Sequence, residues 1–507
     1  MRHAKQTLWA QMFELPDRPA LPLKARLREA VVREILGGRI AEGTAMPSSR
    51  DLARLMDLSR NTVTAAYQQL VGDGFLVARR RSGVFVAPGA RQKVAVPPPP
   101  LPPRATGSRP PDWSARVRHP LRGRPMLAKP ERWRDDYRYP FVYGRHDPQL
   151  FPSDDFRECC ARSLARAQQR RWAPDFEAED VPDLVEQIRL RLLPKRGVFA
   201  LAEEIVVTVG AQQAFHLLGE ALLGPRTRLG FEDPGYPQAR AAFALREPVF
   251  VALAVDANGL IVEGLPELDY LFVTPSHQSP TTVSLSLDRR EALLRLAETR
   301  DLVLIEDDYE SEDLLEGDPI PALKSLDRAG RVVYVGSLPK SLSPAVRLGY
   351  IVAPSALATE LRLLRHAMVR HPSAFLQHAY ALFLSLGQHE SHARRVNSVI
   401  AERIAAAGEA LRRFLPGVRF VPPRGGASIW VQAPAWVDAG ELALAARRHG
   451  VLIESGEVFF AVPPYPCPYF RLRLSSIDLT SIEPGVRALA QAAAELAAAR
   501  GVRWPAR

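Results

Sequence analysis

Apolar positions follow two different periods along this chain. Near the N-terminus, residues 25–36 place their apolar side chains on one helical face, and two glycines end that helix. From about residue 138 onward, short apolar runs alternate with amphipathic helical stretches. The clearest runs span residues 204–209, 270–273, 302–305 and 332–335. This alternation predicts a largely parallel sheet that is covered by helices.

The N-terminal region, residues 21–88, is predicted to contain three short helices and a hairpin. The second helix lies within residues 46–56 and begins at a serine cap, and a tight turn leads to a third helix over residues 60–70. The third helix has polar donors at its start and apolar residues on one face. Strands at 74–78 and 84–86 follow, joined by a basic tip. This order of elements is typical of a recognition helix followed by a wing.

The organisation of the whole chain follows from length and composition. A chain of 507 residues exceeds what one core normally serves. Residues 89–134 are rich in Pro and carry 11 Lys and Arg against two Asp and Glu. Such a segment favours extended conformations, so we expect a linker that is either a solvated tether or a phosphate contact. The expected parts are therefore a domain at 21–88, a linker at 89–134 and a domain at 135–507.

Charge and cysteine usage narrow the setting. The net charge is +11, and residues 1–134 carry 25 Lys and Arg against 10 Asp and Glu. A basic head predicts contact with a polyanion, although a basic arm that only aids solubility is the alternative. The three cysteines have no metal-ligand spacing, which indicates a reducing cytosol. Without a signal peptide or a long apolar run, we expect a cytoplasmic protein away from membranes.

Residues 21–88 resemble the winged DNA-binding domain of the GntR family. The resemblance lies in residues 43–50, 59–63, 67–75 and 81–86, which match the family pattern closely. It implies binding to a double-stranded DNA operator, with Arg50 and Arg60 as base or phosphate contacts. The residues that it implies face DNA are Ser49, Arg50, Ser59, Arg60, Asn61, Thr62, Ser82 and Gly83.

Four segments of the larger domain carry groups that pyridoxal phosphate (PLP) chemistry requires: a lysine, a carboxylate, a hydroxyl and a phosphate cup. A glycine turn at 210–215 opens a helix, which suits a phosphate. Tyr236 lies in a rigid turn, and carboxylates followed by Tyr309 end an apolar strand. Lys340 lies in a mostly apolar loop. Each segment alone has an ordinary structural interpretation, such as a turn tyrosine or a helix-capping acid.

The order of these segments resembles the aspartate aminotransferase fold, and its fusion to a GntR-type head resembles the MocR type of regulator. The matching motifs lie at 232–237, 274–280, 306–312 and 337–350. The resemblance implies a multidomain protein. A winged helix-turn-helix domain (α+β) would precede an α/β PLP-dependent aminotransferase fold with a mostly parallel central sheet, and we expect no metal.

The resemblance also implies roles for single residues. Lys340 would form the Schiff base with PLP, Asp307 would pair with the pyridinium nitrogen and Tyr309 with the ring oxygen. Tyr236 would stack on the ring. The phosphate cup would consist of Gln212, Ser337 and Arg347. His277 and Gln278 are expected near the ring without an assigned contact.

A carboxylate clamp for the effector is expected near the C-terminus. Residues 469–476 resemble the strand whose arginine holds a substrate carboxylate, and Arg471 fits its register. Arg473 lies on the same face, so the choice between the two stays open, as does a surface arginine pair. The segment at 179–183 and Thr282 depart from the family pattern, both where the effector pocket is expected.

Three functions are compatible with these features. The favoured one is a homodimeric regulator that senses a small amine or amino acid through external aldimine formation, which shifts the dimer between two arrangements. By resemblance, γ-aminobutyrate, taurine and PLP itself are candidate effectors. The alternatives are a catalytically active class I/II aminotransferase with a DNA-binding appendage, and a DNA-binding protein with an inert body. We expect no turnover, but the sequence leaves that question open.

Overall fold

The computed structural model describes most of the chain and divides it into two compact units, residues 1–116 and 117–507. The described residues are 9, 13, 15, 16, 21–79, 82–90, 112–117, 136–144, 147–175, 179–310, 321–338, 342, 343 and 345–505. Lys340 and most of the expected linker therefore lie outside the described residues.

The first unit contains the three helices and the hairpin predicted from the sequence. Its elements are α1 Leu23–Leu36, α2 Ser49–Leu55, α3 Arg60–Gly72, β1 Leu76–Arg79, β2 Gly83–Val86 and the short α4 Trp113–Arg116. Leu27, Leu52, Val63 and Leu70 are fully buried in one core between the helices and the hairpin. Tyr67 joins this core and donates a hydrogen bond from its hydroxyl to the Pro47 carbonyl at 3.0 Å.

The second unit is built on an eight-stranded sheet. In chain order its strands are β4 Ile205–Thr208, β5 Arg228–Asp233, β6 Val249–Asp256, β7 Gly259–Leu260, β8 Tyr270–Val273, β9 Val303–Asp308, β10 Val332–Ser337 and β11 Gly349–Val352. Their spatial order is β4-β11-β10-β9-β8-β5-β6-β7. The five strands from β10 to β6 in that order are parallel, and the strands beyond them on either side pair antiparallel. The expected mostly parallel sheet is confirmed.

Helices cover both faces of this sheet. They are α5 Ser153–Ser163, α6 Arg166–Trp172, α7 Pro182–Gln187, α8 Gly210–Leu222, α9 Pro237–Phe243, α10 Leu287–Thr299, α11 Leu323–Leu326, α12 Ser355–Val369 and α13 Ala374–Ser385. Adjacent residues of β9 enter different cores: Ile305 packs in the core that contains Phe215, and Leu304 in the core that contains Leu293. This two-sided burial explains why the parallel strands are almost continuously apolar.

A smaller lobe follows the large sheet. Its elements are α14 Gln388–Phe414, β12 Arg419–Phe420, β13 Ser428–Gln432, α15 Ala439–Arg448, β14 Val451–Leu452, β15 Glu454–Ser455, β16 Tyr469–Arg473 and α16 Leu479–Ala499. Strands β12, β13, β16 and β15 form an antiparallel sheet, while β14 pairs with β3 Tyr139–Pro140. Within the described part of the chain, no helix is long and apolar enough to cross a membrane.

The C-terminal end of strand β9 matters for the site. The sequence predicts an apolar run at 302–305 with carboxylates at the C-terminal end of the strand. The structure continues the strand through Asp308. Side chains of a strand alternate between its two faces, so Glu306 and Asp308 face away from Asp307. A row of acids in the sequence is thereby divided between two environments.

Candidate cofactor cleft and DNA-binding head

A cleft of about 210 Å³ opens where the parallel strands end at their carboxyl edge. Six residues singled out from the sequence line it together. They are Gln212, Tyr236, Asp307, Tyr309, Ser337 and Arg347. Lys340, the expected Schiff-base residue, lies outside the described residues, although Ser337 and Leu338 bring the chain to within two residues of it.

The acidic end of β9 supplies one carboxylate to the cleft. Asp307 is 2 % exposed and lines the cleft. On the opposite face, Glu306 accepts the backbone N–H groups of Leu323 and Lys324, each at 2.8 Å. Burial and the neighbouring Asp308 carboxylate raise the pKa of Glu306. The two outer acids of this row therefore serve the fold, and Asp307 alone serves the cleft.

Asp308 forms a buried ion pair with Arg196 behind the cleft. It accepts hydrogen bonds from Arg196 Nε and from the Tyr334 hydroxyl, both at 2.8 Å. Burial raises its pKa, but the Arg196 charge and the hydrogen bonds outweigh burial and hold the pKa of Asp308 below its ordinary value. The carboxylate is therefore ionised and joins β9 to the segment that contains Arg196.

Three tyrosines line the cleft, and two of them, Tyr236 and Tyr309, were singled out from the sequence. Tyr236 precedes helix α9 and lies edge-on to Phe215, with ring centroids 6.3 Å apart. Tyr309 follows β9. Burial raises the pKa of both hydroxyls above the ordinary tyrosine value. Both therefore stay protonated and can donate hydrogen bonds to an acceptor in the cleft.

The N-terminus of helix α8 forms a cationic cup with Arg347. Gly210 has φ +71°, and a Cβ there would lie 3.2 Å from the Arg347 Cζ. Arg347 donates from Nη2 to the Val209 carbonyl at 3.2 Å. Gln212, expected in the same cup, donates its Nε2 to the Gln238 carbonyl at 3.1 Å. Free backbone N–H groups beside a guanidinium suit a phosphate.

This set of groups fits PLP. A buried carboxylate matches a protonated ring nitrogen, a phenol matches a ring oxygen, and the cup at Gly210 matches a phosphate. Because residue 210 is glycine, the Arg347 guanidinium can pack closely against the start of α8. Among the described residues, no group of three or more His, Cys, Asp or Glu is arranged to hold a metal ion.

A second cavity adjoins the cleft and contains the two C-terminal arginines. It shares Tyr143, Tyr236, Gln238 and Tyr309 with the cleft, and is also lined by Ser279, Arg471 and Arg473. The sequence assigned no role to Tyr143, Gln238, Ser279 or the acids behind the arginines, Glu310 and Glu454. Single residues of these types in loops and helix starts carry no distinguishing pattern, so only the folded chain brings them together.

The two arginines have different surroundings. Arg471 donates from Nε to Glu454 at 2.7 Å, and its guanidinium lies 4.7 Å from the centre of the Phe459 ring. Arg473 Nη1 lies 2.6 Å from Glu310 and 3.2 Å from the Ser428 hydroxyl. Both side chains are almost completely buried. The alternative of a surface arginine pair is therefore wrong.

Gln278 is a structural link between loops. Its Nε2 donates to the Pro234 carbonyl at 2.8 Å, and its Oε1 accepts from the Thr281 backbone and hydroxyl. It thus joins the tyrosine turn to the loop that contains Ser279. His277 is buried, which lowers its pKa and keeps the ring neutral. Neither side chain lines either cavity.

The two places where the sequence departs from the family pattern, residues 179–183 and Thr282, lie differently relative to the cavities. Asp180 does not line either cavity; it accepts hydrogen bonds from Arg365 and from the Val207 backbone under β4. None of residues 179–183 lines either of these two cavities. The loop that carries Thr282 does reach the second cavity, through Ser279.

In the first unit, helix α3 presents its N-terminal end to solvent. Ser59 caps the helix by accepting from the Thr62 backbone at 3.1 Å, and the two hydroxyls lie 2.8 Å apart. Arg60 and Asn61 are exposed, as are Arg50, Ser82 and Gly83, while Ser49 is half-buried. Ser59 and Thr62 therefore stabilise the helix start from which Arg60 and Asn61 project.

Comparison with known proteins finds a family match in each of the two units. The family model described as "Bacterial regulatory proteins, gntR family" matches residues 23–86, and "Aminotransferase class I and II" matches residues 179–489. The HTH-type transcriptional regulator TauR of Rhodobacter capsulatus is 42 % identical over 93 % of this chain and 96 % of its own. The probable rhizopine catabolism regulatory protein MocR of Rhizobium meliloti is 32 % identical over 79 % of each chain.

Solved aminotransferases match the second unit. Kynurenine aminotransferase of Pyrococcus horikoshii, in complex with PMP, is 27 % identical with a TM-score of 0.67 over 71 % of this chain and 91 % of its own. The α-aminoadipate aminotransferase LysN of Thermus thermophilus, complexed with N-(5'-phosphopyridoxyl)-L-leucine, is 29 % identical with a TM-score of 0.67 over 72 % and 94 %.

A winged helix-turn-helix head on an aminotransferase-type body defines a class of transcription regulator. The chain belongs to the MocR type of these HTH-type transcriptional regulators. The family and the fold class expected from the sequence are thereby confirmed.

Proposed function

We propose that this protein is a PLP-dependent transcription regulator that binds operator DNA through its head and senses a small amine or amino acid in its body. The head comprises residues 21–88, the linker 89–134 and the body 135–507. The observation that carries the proposal is the cleft, where a buried carboxylate, two protonated phenols and a cationic helix N-terminus line one cavity.

The cleft residues would bind and orient the cofactor. When bound, PLP supplies an aldehyde that joins amines covalently and a ring that withdraws electrons. Asp307 would hold a proton on the ring nitrogen, Tyr309 would donate to the ring oxygen and Tyr236 would pack on the ring. Gln212, Ser337, Arg347 and the start of α8 would hold the phosphate, and Lys340 would be the covalent attachment residue.

Arg471 would bind the acid group of the effector. Its only protein hydrogen bond among the described residues is from Nε to Glu454, so both terminal nitrogens would be available to a ligand. A carboxylate or sulfonate binds best to two such parallel donors. Arg473 has its Nη1 occupied by Glu310 and Ser428. The amine end of the effector would reach the cofactor and displace Lys340.

The head would read DNA from the start of helix α3. Exposed Arg60 and Asn61 would reach the major groove, and Arg50 together with Ser49, Ser82 and Gly83 would contact the flanking backbone. Ser59 and Thr62 would contribute through the cap as well as by contact. A homodimer would present two heads to paired half-sites, and effector binding would shift the equilibrium between two dimer arrangements.

Borohydride reduction followed by peptide mapping tests the proposal. The PLP-loaded protein should carry one reduced label on Lys340, and Lys340→Ala should lose both the label and the yellow absorbance while remaining folded. A label on another lysine would refute the assignment of the site. Absence of any chromophore in the wild type would refute the cofactor itself.

A second candidate function is aminotransferase turnover, which the similarity to solved aminotransferases favours. A regulator binds an amine reversibly, whereas an aminotransferase passes the amino group to the cofactor and releases a keto acid. Assay of the keto acid after incubation with an amine panel separates the two. We expect no keto acid in stoichiometric amount.

A further inference from the structure

The second cavity, which is the proposed effector site, contains two arginines. One of them, Arg473, is already bound by a carboxylate of the protein. Arg471 and Arg473 lie two residues apart on β16, so both face the same side of the sheet and line the cavity. Arg473 Nη1 lies 2.6 Å from a Glu310 oxygen, and both side chains are at most 9 % exposed. Its Nε donates to Ser475 at 3.1 Å. Arg473 is thus neutralised and held inside the protein.

The ion pair between Glu310 and Arg473 joins two separate segments of the chain. Glu310 follows Tyr309 directly after β9, whereas Arg473 is contributed by the small lobe. Opposite them, Gly426 has φ +75°, and a Cβ there would lie 2.1 Å from Glu310 Oε2. Any side chain at 426 would therefore push the carboxylate away from its arginine, and glycine leaves room for it.

Arg471 is paired in a different manner. Glu454 binds only its Nε, and the other Glu454 oxygen accepts the Tyr143 backbone N–H at 3.0 Å. This geometry orients the guanidinium while leaving both Nη atoms for a ligand. On Arg473, Nη1 is already engaged, so an end-on pair of hydrogen bonds to a second acid group is blocked.

We infer that Glu310 is a specificity residue that restricts the effector to amines with a single acid group. The inference rests on the proposed effector site. A second carboxylate near Arg473 would meet the Glu310 charge in a buried environment, or would have to displace it from a pair that shields both charges. Discrimination would thus come from a repulsive group already placed in the protein.

Two ligand pairs that differ by one carboxylate test this inference on the full-length PLP-loaded protein. These are 4-aminobutyrate against glutamate, and β-alanine against aspartate, with dissociation constants measured by calorimetry. We expect the wild type to prefer the monoacid of each pair at least about tenfold, and Glu310→Gln to reduce that preference at least about tenfold. Glu263→Gln, which removes an exposed carboxylate elsewhere in the second unit, should retain the wild-type preference.

A measurement on the wild type guards against a variant that fails to fold. Glutamine and isoglutamine have the size of glutamate but carry one acid group, so at least one of them should bind more tightly than glutamate. Amides that bind no better than glutamate, or an unchanged preference in folded Glu310→Gln, would overturn the inference. A wild type that binds none of these amines would instead refute the proposed effector site.

Discussion

Asp307 and Asp308 are adjacent in sequence, yet their carboxylates lie on opposite faces of β9. Asp307 lines the cleft, and Asp308 binds Arg196 and Tyr334 behind it. The alternation of a β-strand produces this separation, since successive side chains point to opposite sides of a sheet. One carboxylate is thereby available to a cofactor, while its neighbour is a component of the core.

Substitution of the two aspartates should therefore have different consequences. Asp308→Asn leaves the buried Arg196 charge without its partner and should lower the free energy of unfolding by about 3–5 kcal/mol. Asp307→Asn should change stability less but alter the absorbance and affinity of PLP, because the ring nitrogen loses its counter-charge. Chemical denaturation and spectral titration measure the two effects. Equal loss of stability in both variants would contradict the division of roles.

Gly210→Ala should weaken PLP binding as well as lower the stability of the fold. The substitution places a Cβ 3.2 Å from Arg347 Cζ and forces alanine into φ +71°, a strain of about 1–2 kcal/mol. Gly264→Ala is a matched control, since φ is +72° and no atom lies within 4 Å of the added Cβ. Both variants should lose similar stability, but only Gly210→Ala should bind PLP more weakly. Equal PLP affinity in the two would remove Gly210 from the phosphate cup.

Arg60→Ala should weaken binding to the operator by about 1–3 kcal/mol and reduce the salt dependence of affinity by about one counterion. The physical reason is loss of an exposed cation at the start of helix α3. Arg28→Ala is the control, because Arg28 pairs with Asp73 at the other end of that helix, at 2.9 Å. Fluorescence anisotropy at several salt concentrations measures both. A larger loss of operator affinity with Arg28→Ala than with Arg60→Ala would show that the DNA contacts the C-terminal end of α3 and not its N-terminal end.

Glu232 should make stability depend on pH. Burial raises the pKa of its carboxyl to about 7, although Thr274 and Gln278 donate hydrogen bonds to it. A raised pKa favours the folded state fully below the unfolded value of 4.5, and that contribution is lost as the pH rises to about 7.

Glu232→Gln removes the titrating group from this buried position. Relative to wild type, the variant should gain stability between pH 4.5 and 7, by no more than about 1.4 kcal/mol per pH unit. Thermal unfolding of the body over that range measures the difference. The exposed Glu263→Gln serves as a control without a burial cost. A difference between Glu232→Gln and wild type that stays flat across this range would contradict the raised pKa.

Much of the protein could be predicted from its sequence because the information is local. Helix caps such as Ser48 and Ser59 lie within three residues of the N–H groups from which they accept, and the serine cap predicted for the second helix is present at Ser48. The strand–helix alternation of the body likewise depends on periods of a few residues. The cofactor motifs then follow single strands, so their order along the chain implies a common edge of the sheet.

The sequence by itself therefore determined the class of fold, the winged head and the residues that share the cleft. Only the tertiary structure showed that Arg471 and Arg473 have different partners, that Asp180 lies beneath β4 and that Gln278 links two loops. The physical reason is that these outcomes depend on pairs such as Glu310 with Arg473. Such partners come from distant segments, and no spacing along one strand records which charge will meet which.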